Sequence, residues 1–409
     1  MTEPRVLPPG SIVGVMGGGQ LGRMFAIAAR RMGYRVHTFS PGEDTPTGQL
    51  ADREVAASYD DEAAIRDFAR GVDVLTFEFE NIPSRSIAWA AEECIVHPDG
   101  RALHLCQHRL REKHFLQGAG FPLPRFLPVE SKGELIAAVS QIGTPCVLKT
   151  ASFGYDGKGQ RKIDGFTDMS LLWEEITRDR PAPDGANGGG APFVVEAWVE
   201  FEKEISVIVA RGARGEMVSF PVCENQHRRH ILDVTMVPAR IDHELAGRAR
   251  QLAGDVAEQL NLVGVLAVEM FVRPVPGAAE NSPPELLINE LAPRPHNSGH
   301  FSFDASVTSQ FEQQLRAVCG LRLGSAELLR PCAMANLLGD IWDEAAAAGL
   351  PAPNWSAAAA FPDVKIHLYG KATPRPGRKM GHLVAFGPGP GEAAERVLAA
   401  RAALVSPTR

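Results

Sequence analysis

The first hundred residues alternate short apolar runs with helical patterns, and this alternation constrains the fold more than any other feature of the chain. The apolar run Ser11–Met16 leads through the letters GGGQLGRM into a helical pattern that continues to Gly33. Further strands are predicted at Arg35–Phe39, Asp73–Phe77 and Ile95–His97. Strands that alternate with helices favour a parallel sheet, because each parallel pair needs a crossover connection that a helix supplies. The sequence therefore predicts an α/β fold that begins with a parallel sheet.

Size and composition limit the class of protein. The chain has 409 residues, of which 44% are hydrophobic and 22% charged, and its net charge is -7. These values predict two to four domains of ordinary globular character and argue against a nucleic-acid-binding surface, although a local basic pocket remains possible. The N-terminus lacks the pattern of a signal peptide, and no apolar stretch has membrane-spanning length, so we expect no membrane partner.

The cysteines indicate a reducing environment. Six are scattered along the chain without a CxxC pair: Cys94, Cys106, Cys146, Cys223, Cys319 and Cys332. Such spacing is typical of free cytosolic thiols and not of a disulfide framework or a zinc site. We therefore expect a cytoplasmic protein.

A glycine pattern after the first strand resembles a dinucleotide fingerprint. Gly17, Gly19 and Gly22 match GxGxxG between a strand and a helix. The complete fingerprint needs an acid at the end of the next strand to hold the ribose, but that strand ends at Ser40. The pattern therefore favours a helix N-terminus that tolerates phosphate, and an NAD-dependent oxidoreductase is a remote alternative.

A second glycine-rich segment follows the apolar run that ends at Lys149. Its letters are PCVLKTASFGYDGKGQ, and the glycines are Gly154, Gly157 and Gly159. The P-loop pattern does not fit, because Lys158 precedes a glycine instead of serine or threonine. A lysine at a strand end and a flexible loop after it can together enclose a phosphate, so the segment predicts a nucleotide site of another kind. A plain hairpin is the alternative.

The region before this loop contains two predicted helices. Leu103–Gln117 is predicted to form one helix, with Arg109 and Lys113 one turn apart on the same face. A second helix begins near Ser131 and ends before Gly143.

Acids lie at or near the ends of several predicted strands. They are Glu78 in TFEFENIP, Glu196 in VVEAWV and Glu290, which follows Asn289. Glu269 lies inside the apolar strand GVLAVEMFV, where a lone carboxylate is costly to bury and should be paired or bound to a metal. Ligands of open α/β sheets bind at strand ends, and carboxylate and amide oxygens are the ligands that Mg²⁺ prefers. We therefore expect a magnesium site at Glu269 and Glu290. A polar strand terminus at Glu78 and a surface acid at Glu290 are the alternatives.

The strand FEKEISVIV alternates polar and apolar residues. Glu204, Ser206 and Ile208 fall on one face. Since successive side chains point to opposite faces of a sheet, we expect solvent or a ligand to cover this face.

Two polar segments complete the set of candidate sites. The run APRPHNSGH contains Arg294, His296, Asn297, Ser298 and His300, without the spacing of a zinc site. The basic segment near the C-terminus contains Tyr369, Lys371, Arg375, Arg378 and Lys379. The first predicts substrate contacts and the second an anion site. A structural polar loop and a solvated basic loop are the respective alternatives.

In this order, the motifs resemble those of the ATP-grasp superfamily and, more narrowly, of the N5-carboxyaminoimidazole ribonucleotide synthetases. The motifs are GGGQLGRM, TFEFENIP, LKTASFGYDGKGQ, FEKEISVIV, NELAPRPHNSGH and YGKATPRPGRKMGH. The resemblance implies an ATP-grasp fold with a doubly wound N-terminal domain, a small α+β lid and a C-terminal domain. The implied boundaries are 1–112, 113–322 with the lid at about 120–198, and 323–409.

The same resemblance implies roles for individual residues. ATP contacts would come from Arg109, Lys149, Gly154, Tyr155, Asp156, Gly157, Lys158, Gly159, Gln160, Glu196, Ala197, Trp198, Val199, Glu204, His227, Asn289 and Glu290. Contacts to the second substrate would come from Gln20, Leu21, Glu78, Tyr155, Asp156, Asn297, Ser298, Lys371 and Arg378. The catalytic residues would be Lys149, Asp156, Arg294 and His296, and the ligands of Mg²⁺ would be Glu269 and Glu290.

The implied reaction joins ATP, bicarbonate and aminoimidazole ribonucleotide through carboxyphosphate, in purine biosynthesis. Asp156 is the candidate base for the amine proton. The resemblance also implies a homodimer and a possible transfer of product to the mutase of the next step. A formate-dependent glycinamide ribonucleotide transformylase is the nearest alternative. A biotin carboxylase and a non-enzymatic nucleotide-binding module fit the motifs less well.

Overall fold

The computed structural model describes residues 5–152, 159–178, 192–275, 277 and 282–406. The chain forms two compact units, which are described separately. Unit 1 draws its residues from Met1–Gly100, Ile205–Ala267 and Ala292–Arg409, and unit 2 from Arg101–Glu204 and Val268–Leu291. Within the described ranges, no helix is both long and apolar enough to cross a bilayer.

Unit 1 begins with a four-stranded parallel sheet. Its strands are β1 (Ile12–Met16), β2 (Arg35–Ser40), β3 (Arg53–Ala56) and β4 (Val74–Phe77), and its helices are α1 (Gln20–Arg31), α2 (Glu62–Arg70) and α3 (Ser84–Ala91). The strand order is β3-β2-β1-β4, and all pairs are parallel. The predicted parallel sheet is confirmed.

Two details of this sheet differ from the prediction. The sequence pattern did not predict β3, whose residues are not fully buried. Ile95–His97 is not a strand, since only Val96 forms an isolated bridge, to Leu75. Pro98 follows at once and has no N–H group with which to extend the ladder.

Unit 2 contains a small antiparallel sheet. Its helices are α4 (Gly100–Cys106, which begins in unit 1), α5 (Arg109–Gly118), α6 (Lys132–Ile142) and α7 (Met169–Arg178), and its strands are β5 (Phe126–Val129), β6 (Cys146–Thr150), β7 (Gln160–Ile163) and β8 (Phe193–Ala197). The strand order is β5-β8-β6-β7. The predicted helix between Ser131 and Gly143 is confirmed, because Ser131 caps α6 and Gly143 ends it with a positive φ of 91°.

The predicted single helix Leu103–Gln117 is wrong, because the chain breaks between α4 and α5. His108 is extended, with φ -137° and ψ 114°, and it forms an isolated bridge with Ser152. The N–H of Arg109 donates to the carbonyl of Ala151 at 2.8 Å. The break therefore fixes the first residue of α5 beside the segment that follows β6.

The remaining strands belong to a nine-stranded sheet. They are β9 (Lys203–Arg211), β10 (Met217–Ser219), β11 (Cys223–Arg228), β12 (Ile231–Val237), β13 (Gly264–Arg273), β14 (Glu285–Ala292), β15 (Cys332–Leu338), β16 (Val364–Leu368) and β17 (Lys379–Phe386). The order is β14-β13-β9-β11-β12-β15-β17-β16, and β10 pairs with β9. The helices are α8 (His243–Gln259), α9 (Ser302–Ala305), α10 (Gln310–Val318), α11 (Asp340–Ala347), α12 (Trp355–Ala359) and α13 (Pro390–Ala403).

Strand β9 does not have the polar face that the sequence predicts. Ser206 and Ile208 are both fully buried, as are their neighbours of opposite orientation, Ile205 and Val207. The Ser206 hydroxyl is satisfied internally, because Asn225 donates to it at 2.9 Å and Ser298 Oγ lies 2.7 Å away. Ser206 therefore marks a buried hydrogen-bond network and not a surface, whereas Glu204 at the start of the same face is half-buried.

Candidate active site

Unit 2 contains a buried cluster of charges around Glu196. Strands β6 and β8 pair side by side, with Val147 opposite Glu196. The Lys149 ammonium lies 3.0 Å from Glu196 Oε2, and the Lys113 ammonium on α5 lies 3.1 Å from the same oxygen. All three charged side chains are buried. The predicted ATP contacts Lys149 and Glu196 are thus brought together, with Lys113 as a third member that the predicted set lacked.

Arg109, at the start of α5, points to a different acid. Arg109 Nη1 lies 3.0 Å from Glu290 Oε2. The Arg109 side chain is 13% exposed and that of Glu290 40% exposed. Arg109 and Lys113 lie one turn apart, as predicted, so α5 brings two cations into the same cluster.

Cations control the protonation of Glu196. Burial alone favours its neutral form, but Lys113, Lys149 and Arg109 outweigh that effect and lower the pKa of Glu196 to about 2. Burial lowers the pKa of the Lys149 ammonium, whereas Glu196 raises it. Burial is the larger effect, so the pKa of Lys149 is lowered overall, and a bound anion beside it would favour the charged ammonium.

A second buried carboxyl, that of Glu112 on α5, behaves in the opposite way. Burial raises the pKa of Glu112 to about 8, and the nearby charge of Glu290 adds to the effect. Glu112 is therefore mostly protonated at neutral pH. The cluster then carries three cations (Arg109, Lys113 and Lys149) against two carboxylates (Glu196 and Glu290). This excess of buried positive charge is what a polyphosphate requires.

Two buried oxygen atoms of this unit have no hydrogen-bond partner among the described residues. They are Oε1 of Glu196 and Oδ1 of Asn289. Since unpaired buried acceptors are rare, each indicates a ligand group. An amino group of a nucleotide base could donate to Glu196 Oε1. A hydrogen-bond donor or a metal cation could contact Asn289 Oδ1.

The other predicted nucleotide contacts are spread over several strands and the segment after β8. Val199 is buried, whereas Trp198 is 40% exposed with the Lys162 ammonium 4.3 Å from its ring centre. Glu204 and Glu269 lie on β9 and β13, which neighbour each other in the sheet. His227 is exposed on β11 in unit 1. Gly159 and Gln160 lie at the start of β7, whereas Gly154, Tyr155, Asp156, Gly157 and Lys158 lie outside the described residues.

Unit 1 contains a pocket of about 520 Å³. Four of the predicted substrate contacts line it. Gln20 and Glu78 come from the N-terminal part of the chain, and Lys371 and Arg378 come from the C-terminal part. The full lining is Gly18, Gly19, Gln20, Ser40, Pro41, Thr45, Pro46, Tyr59, Glu78, Phe79, Lys371 and Arg378. The fold therefore brings residues from opposite ends of the chain to one pocket, with cations that suit an anionic group.

Glu78 occupies the N-terminus of α1. Its carboxylate accepts hydrogen bonds from the N–H groups of Gly19 at 2.6 Å, Leu21 at 3.1 Å and Gly22 at 3.1 Å. A Cβ at Gly17 would lie 2.3 Å from Glu78 Cγ, so glycine is needed for this approach. The prediction that this helix N-terminus accepts a phosphate is therefore wrong, because a side chain already fills it. The same carboxylate excludes the pyrophosphate of NAD.

The sequence patterns missed most of the other pocket residues, among them the polar residues Ser40 and Tyr59. Ser40 is 4% exposed, and its hydroxyl has no partner among the described residues. Burial and the charge of Glu78 raise the pKa of Tyr59, which therefore stays neutral. In the sequence, Ser40 is informative only as evidence against NAD, and no local pattern marks Tyr59.

The segment after β14 contains the remaining candidates. Arg294 forms an ion pair with Glu80, the second acid of TFEFENIP. His296 Nδ1 lies 2.9 Å from Ser298 Oγ. The Asn297 and Asn336 amides bond each other at 3.1 and 2.7 Å, and His300 is fully buried. The side chains of Asn297 and Ser298 thus have protein partners, and their contact with substrate stays a prediction.

Family models and a curated relative match most of the chain. The ATP-grasp domain model matches residues 114–311, the ribonucleotide synthetase preATP-grasp domain model 11–107, and the phosphoribosylaminoimidazole carboxylase C-terminal domain model 332–396. The N5-carboxyaminoimidazole ribonucleotide synthase of Bacillus subtilis is 42% identical over 93% of this chain and 92% of its own length.

Solved structures are also similar. An ADP complex of an N5-carboxyaminoimidazole ribonucleotide synthetase has a TM-score of 0.87 and 40% identity, covering 98% of both chains. The N5-carboxyaminoimidazole synthase of Aspergillus clavatus, in complex with ADP and 5-aminoimidazole ribonucleotide, has a TM-score of 0.81 and 27% identity, covering 97% of this chain and 99% of that one.

The fold and the buried cationic cluster define an ATP-grasp enzyme, an ATP-dependent ligase with a preATP-grasp domain before it. Within that class, the chain belongs to the N5-carboxyaminoimidazole ribonucleotide synthase family of purine biosynthesis. The predicted fold class and family are confirmed.

Proposed function

We propose that the chain uses ATP and bicarbonate to carboxylate 5-aminoimidazole ribonucleotide, giving N5-carboxyaminoimidazole ribonucleotide, ADP and phosphate. The observation that carries the proposal is the pocket of unit 1, where Lys371 and Arg378 lie with Gln20 and Glu78. The two cations suit the phosphate of the ribonucleotide, and the amide and carboxylate suit hydroxyl and amino groups. The complex of the Aspergillus relative with ADP and this ribonucleotide supports the choice of substrates.

The cluster of unit 2 would bind the nucleotide. Arg109, Lys113 and Lys149 would neutralise the phosphates, and Oε1 of Glu196 would accept from the base. Burial makes these interactions stronger than they are in water, because the local dielectric constant is lower. Further nucleotide contacts proposed from the family motifs are Gly154, Tyr155, Asp156, Gly157, Lys158, Gly159, Gln160, Ala197, Trp198, Val199, Glu204, His227, Asn289 and Glu290.

Magnesium fits the acids at the edge of unit 2. Glu269 and Glu290 lie on the neighbouring strands β13 and β14, and Asn289 Oδ1 is a buried oxygen without a partner among the described residues. The donors are all oxygen, which is the set that Mg²⁺ prefers. In the described part of the chain, no group of three His, Cys, Asp or Glu residues could hold a metal, so phosphate oxygens would complete the shell. The bound ion would offset the charge of the polyphosphate.

The reaction would proceed in two steps. An oxygen of bicarbonate attacks the γ-phosphorus of ATP, the bond to the β-phosphate oxygen breaks, and ADP and carboxyphosphate result. Carboxyphosphate then releases phosphate, and the exocyclic amine of the ribonucleotide captures the carbon as CO₂. Arg294 and His296 would hold bicarbonate, and Asp156 would accept the amine proton.

Several finer features belong to the same proposal. We propose the domain boundaries 1–112, 113–322 and 323–409, with the lid at about 120–198. We also propose a homodimer, a transfer of product to the mutase of the next step, and a cytoplasmic location that suits six free cysteines.

Phosphate release from ATP in the presence of bicarbonate tests the reaction. We expect release to require 5-aminoimidazole ribonucleotide and to fall when bicarbonate is depleted. A second reaction with formate and glycinamide ribonucleotide tests the nearest alternative. Phosphate release that depends on formate, or that does not change when 5-aminoimidazole ribonucleotide is omitted, would overturn the proposal.

A further inference from the structure

A chain of buried side chains leads from the interior of unit 1 to His296. Thr235 Oγ1 donates to Asn225 Oδ1 at 3.0 Å, and Asn225 Nδ2 donates to Ser206 Oγ at 2.9 Å. Ser206 Oγ lies 2.7 Å from Ser298 Oγ, which lies 2.9 Å from His296 Nδ1. The four residues behind His296 are 0 to 6% exposed. We call Thr235, Asn225, Ser206 and Ser298 the relay.

The backbone fixes the direction of the last contact. The N–H of Ser298 also points to His296 Nδ1, at 3.4 Å. A backbone N–H can only donate, so Nδ1 must offer its lone pair. A neutral imidazole with an unprotonated Nδ1 has its proton on Nε2.

The relay is consistent with this assignment at every step. Asn225 donates to Ser206, which leaves the Ser206 hydroxyl hydrogen for Ser298. Ser298 then has its own hydroxyl hydrogen for Nδ1. All donors therefore point toward His296, and hydrogen bonds aligned in this way strengthen one another in a buried site.

The backbone of His296 is held as well. Gln310 Oε1 accepts from the His296 N–H at 2.9 Å, and Gln310 Nε2 donates to the His296 carbonyl at 2.7 Å. The ring therefore has a fixed position and a fixed partner at Nδ1.

We propose that the relay holds neutral His296 as the Nε2–H tautomer, so that His296 donates a hydrogen bond to an oxyanion and does not act as a general base. The relay residues are positioning residues. The nature of the oxyanion rests on the proposed function, where it is an oxygen of bicarbonate or carboxyphosphate. Proton acceptance is thereby left to another group, in line with the role predicted for Asp156.

A spectrum of the ligand-free full chain tests the tautomer without any reaction. The protein is labelled with ¹⁵N-histidine, and the signals of His296 are identified by comparison with His296→Gln. We expect Nδ1 at the shift of an unprotonated ring nitrogen and Nε2 at that of a protonated one. The reverse assignment would overturn the proposal.

Variants test the relay. Ser298→Ala should give a mixture of tautomers and lower kcat/KM for bicarbonate about tenfold, with KM for ATP unchanged. Ser298→Thr should restore both. Ser306→Ala is the matched control, because Ser306 is also buried, at 7% exposure, and its hydroxyl has no hydrogen-bond partner among the described residues. If Ser298→Ala keeps one tautomer and matches the control in kcat/KM, the relay does not set the tautomer.

Thr235→Val probes the far end of the relay and conserves volume. It removes the donor to Asn225 and should shift the tautomer in the same direction, though less than Ser298→Ala. An unchanged spectrum of the His296 ring in this variant would show that Thr235 does not influence the tautomer, and it would overturn the part of the relay behind Ser298. Absence of bicarbonate-dependent turnover in the unmodified chain would overturn the proposed function, whereas the spectrum alone decides the tautomer.

Discussion

The carboxylate of Glu78 accepts a hydrogen bond of 2.6 Å from the N–H of Gly19, across 59 residues of sequence. The same side chain also accepts from Leu21 and Gly22. The free N–H groups of this helix N-terminus, which could otherwise bind an anionic ligand, thus have an acceptor within the protein. This arrangement explains why a glycine pattern that resembles a dinucleotide fingerprint leaves no open pyrophosphate site at this helix N-terminus.

Loss of this acceptor should destabilise unit 1. In Glu78→Ala, three N–H groups lose their partner, and we expect the free energy of unfolding to fall by about 2 to 3 kcal/mol, as measured by urea denaturation. Asp61→Ala is the control, because Asp61 caps α2 through the single N–H of Ala64 and should cost only about 1 kcal/mol. Equal losses in the two variants would contradict the role of Glu78.

Lys149 should be needed for nucleotide affinity. Lys149→Ala removes a buried cation from the cluster, and we expect the Kd for ADP to rise at least about tenfold in calorimetric titration. Lys132→Ala removes an exposed lysine at the start of α6 and should leave the Kd unchanged. Wild-type affinity in Lys149→Ala would exclude this cluster as the phosphate site.

The pH dependence of stability should reveal Glu196. Its pKa is about 2 in the folded protein and near 4.5 when unfolded, so the unfolded chain binds the proton first as pH falls. The stabilisation, about 3 kcal/mol, is complete above pH 4.5 and disappears as pH falls toward 2. Glu196→Gln should therefore be less stable than wild type at pH 7, and the difference should shrink in acid.

Denaturation at several pH values measures that difference. Glu174→Gln, an exposed residue of α7, is the control and should follow the wild type throughout. A constant gap between Glu196→Gln and wild type from pH 7 to pH 3 would refute the assignment.

Lys371 should act on the ribonucleotide alone. Lys371→Ala removes one cation from the pocket, and we expect KM for the ribonucleotide to rise about tenfold or more while KM for ATP stays the same. Lys365→Ala, an exposed residue of β16, should change neither value. An unchanged KM for the ribonucleotide would refute the phosphate role.

Asp156 should affect chemistry more than binding. Asp156→Ala removes the candidate base, so carboxylation should fall about 100-fold while ATP binding changes little. Calorimetry and product formation measure the two quantities separately. Equal losses of both would remove Asp156 as the base.

Local patterns predicted the elements that depend on local sequence. The strands at Ile12–Met16 and Arg35–Ser40 and the helix after Ser131 follow from apolar runs and capping residues. The motifs also indicated the family. In contrast, the break at His108 depends on Ser152 and Ala151, and local helix propensity does not reveal such distant partners.

The candidate site was predictable by residue type but not by pairing. The motifs identify both Lys149 and Glu196 as nucleotide contacts. Their contact with each other could not be predicted, because it arises from the register of β6 and β8. Ser206 was expected to face a ligand or solvent, whereas its partners Asn225 and Ser298 come from other segments of the chain. Tertiary hydrogen bonds therefore decide which polar residues are exposed to a substrate.

The fate of a bicarbonate oxygen tests the proposed reaction most directly. In turnover with ¹⁸O-bicarbonate, ATP and 5-aminoimidazole ribonucleotide, attack on the γ-phosphorus transfers one bicarbonate oxygen to phosphorus. Mass spectrometry of the released phosphate should therefore find one ¹⁸O atom for each turnover. Phosphate without ¹⁸O, at a normal rate of carboxylation, would contradict the carboxyphosphate route.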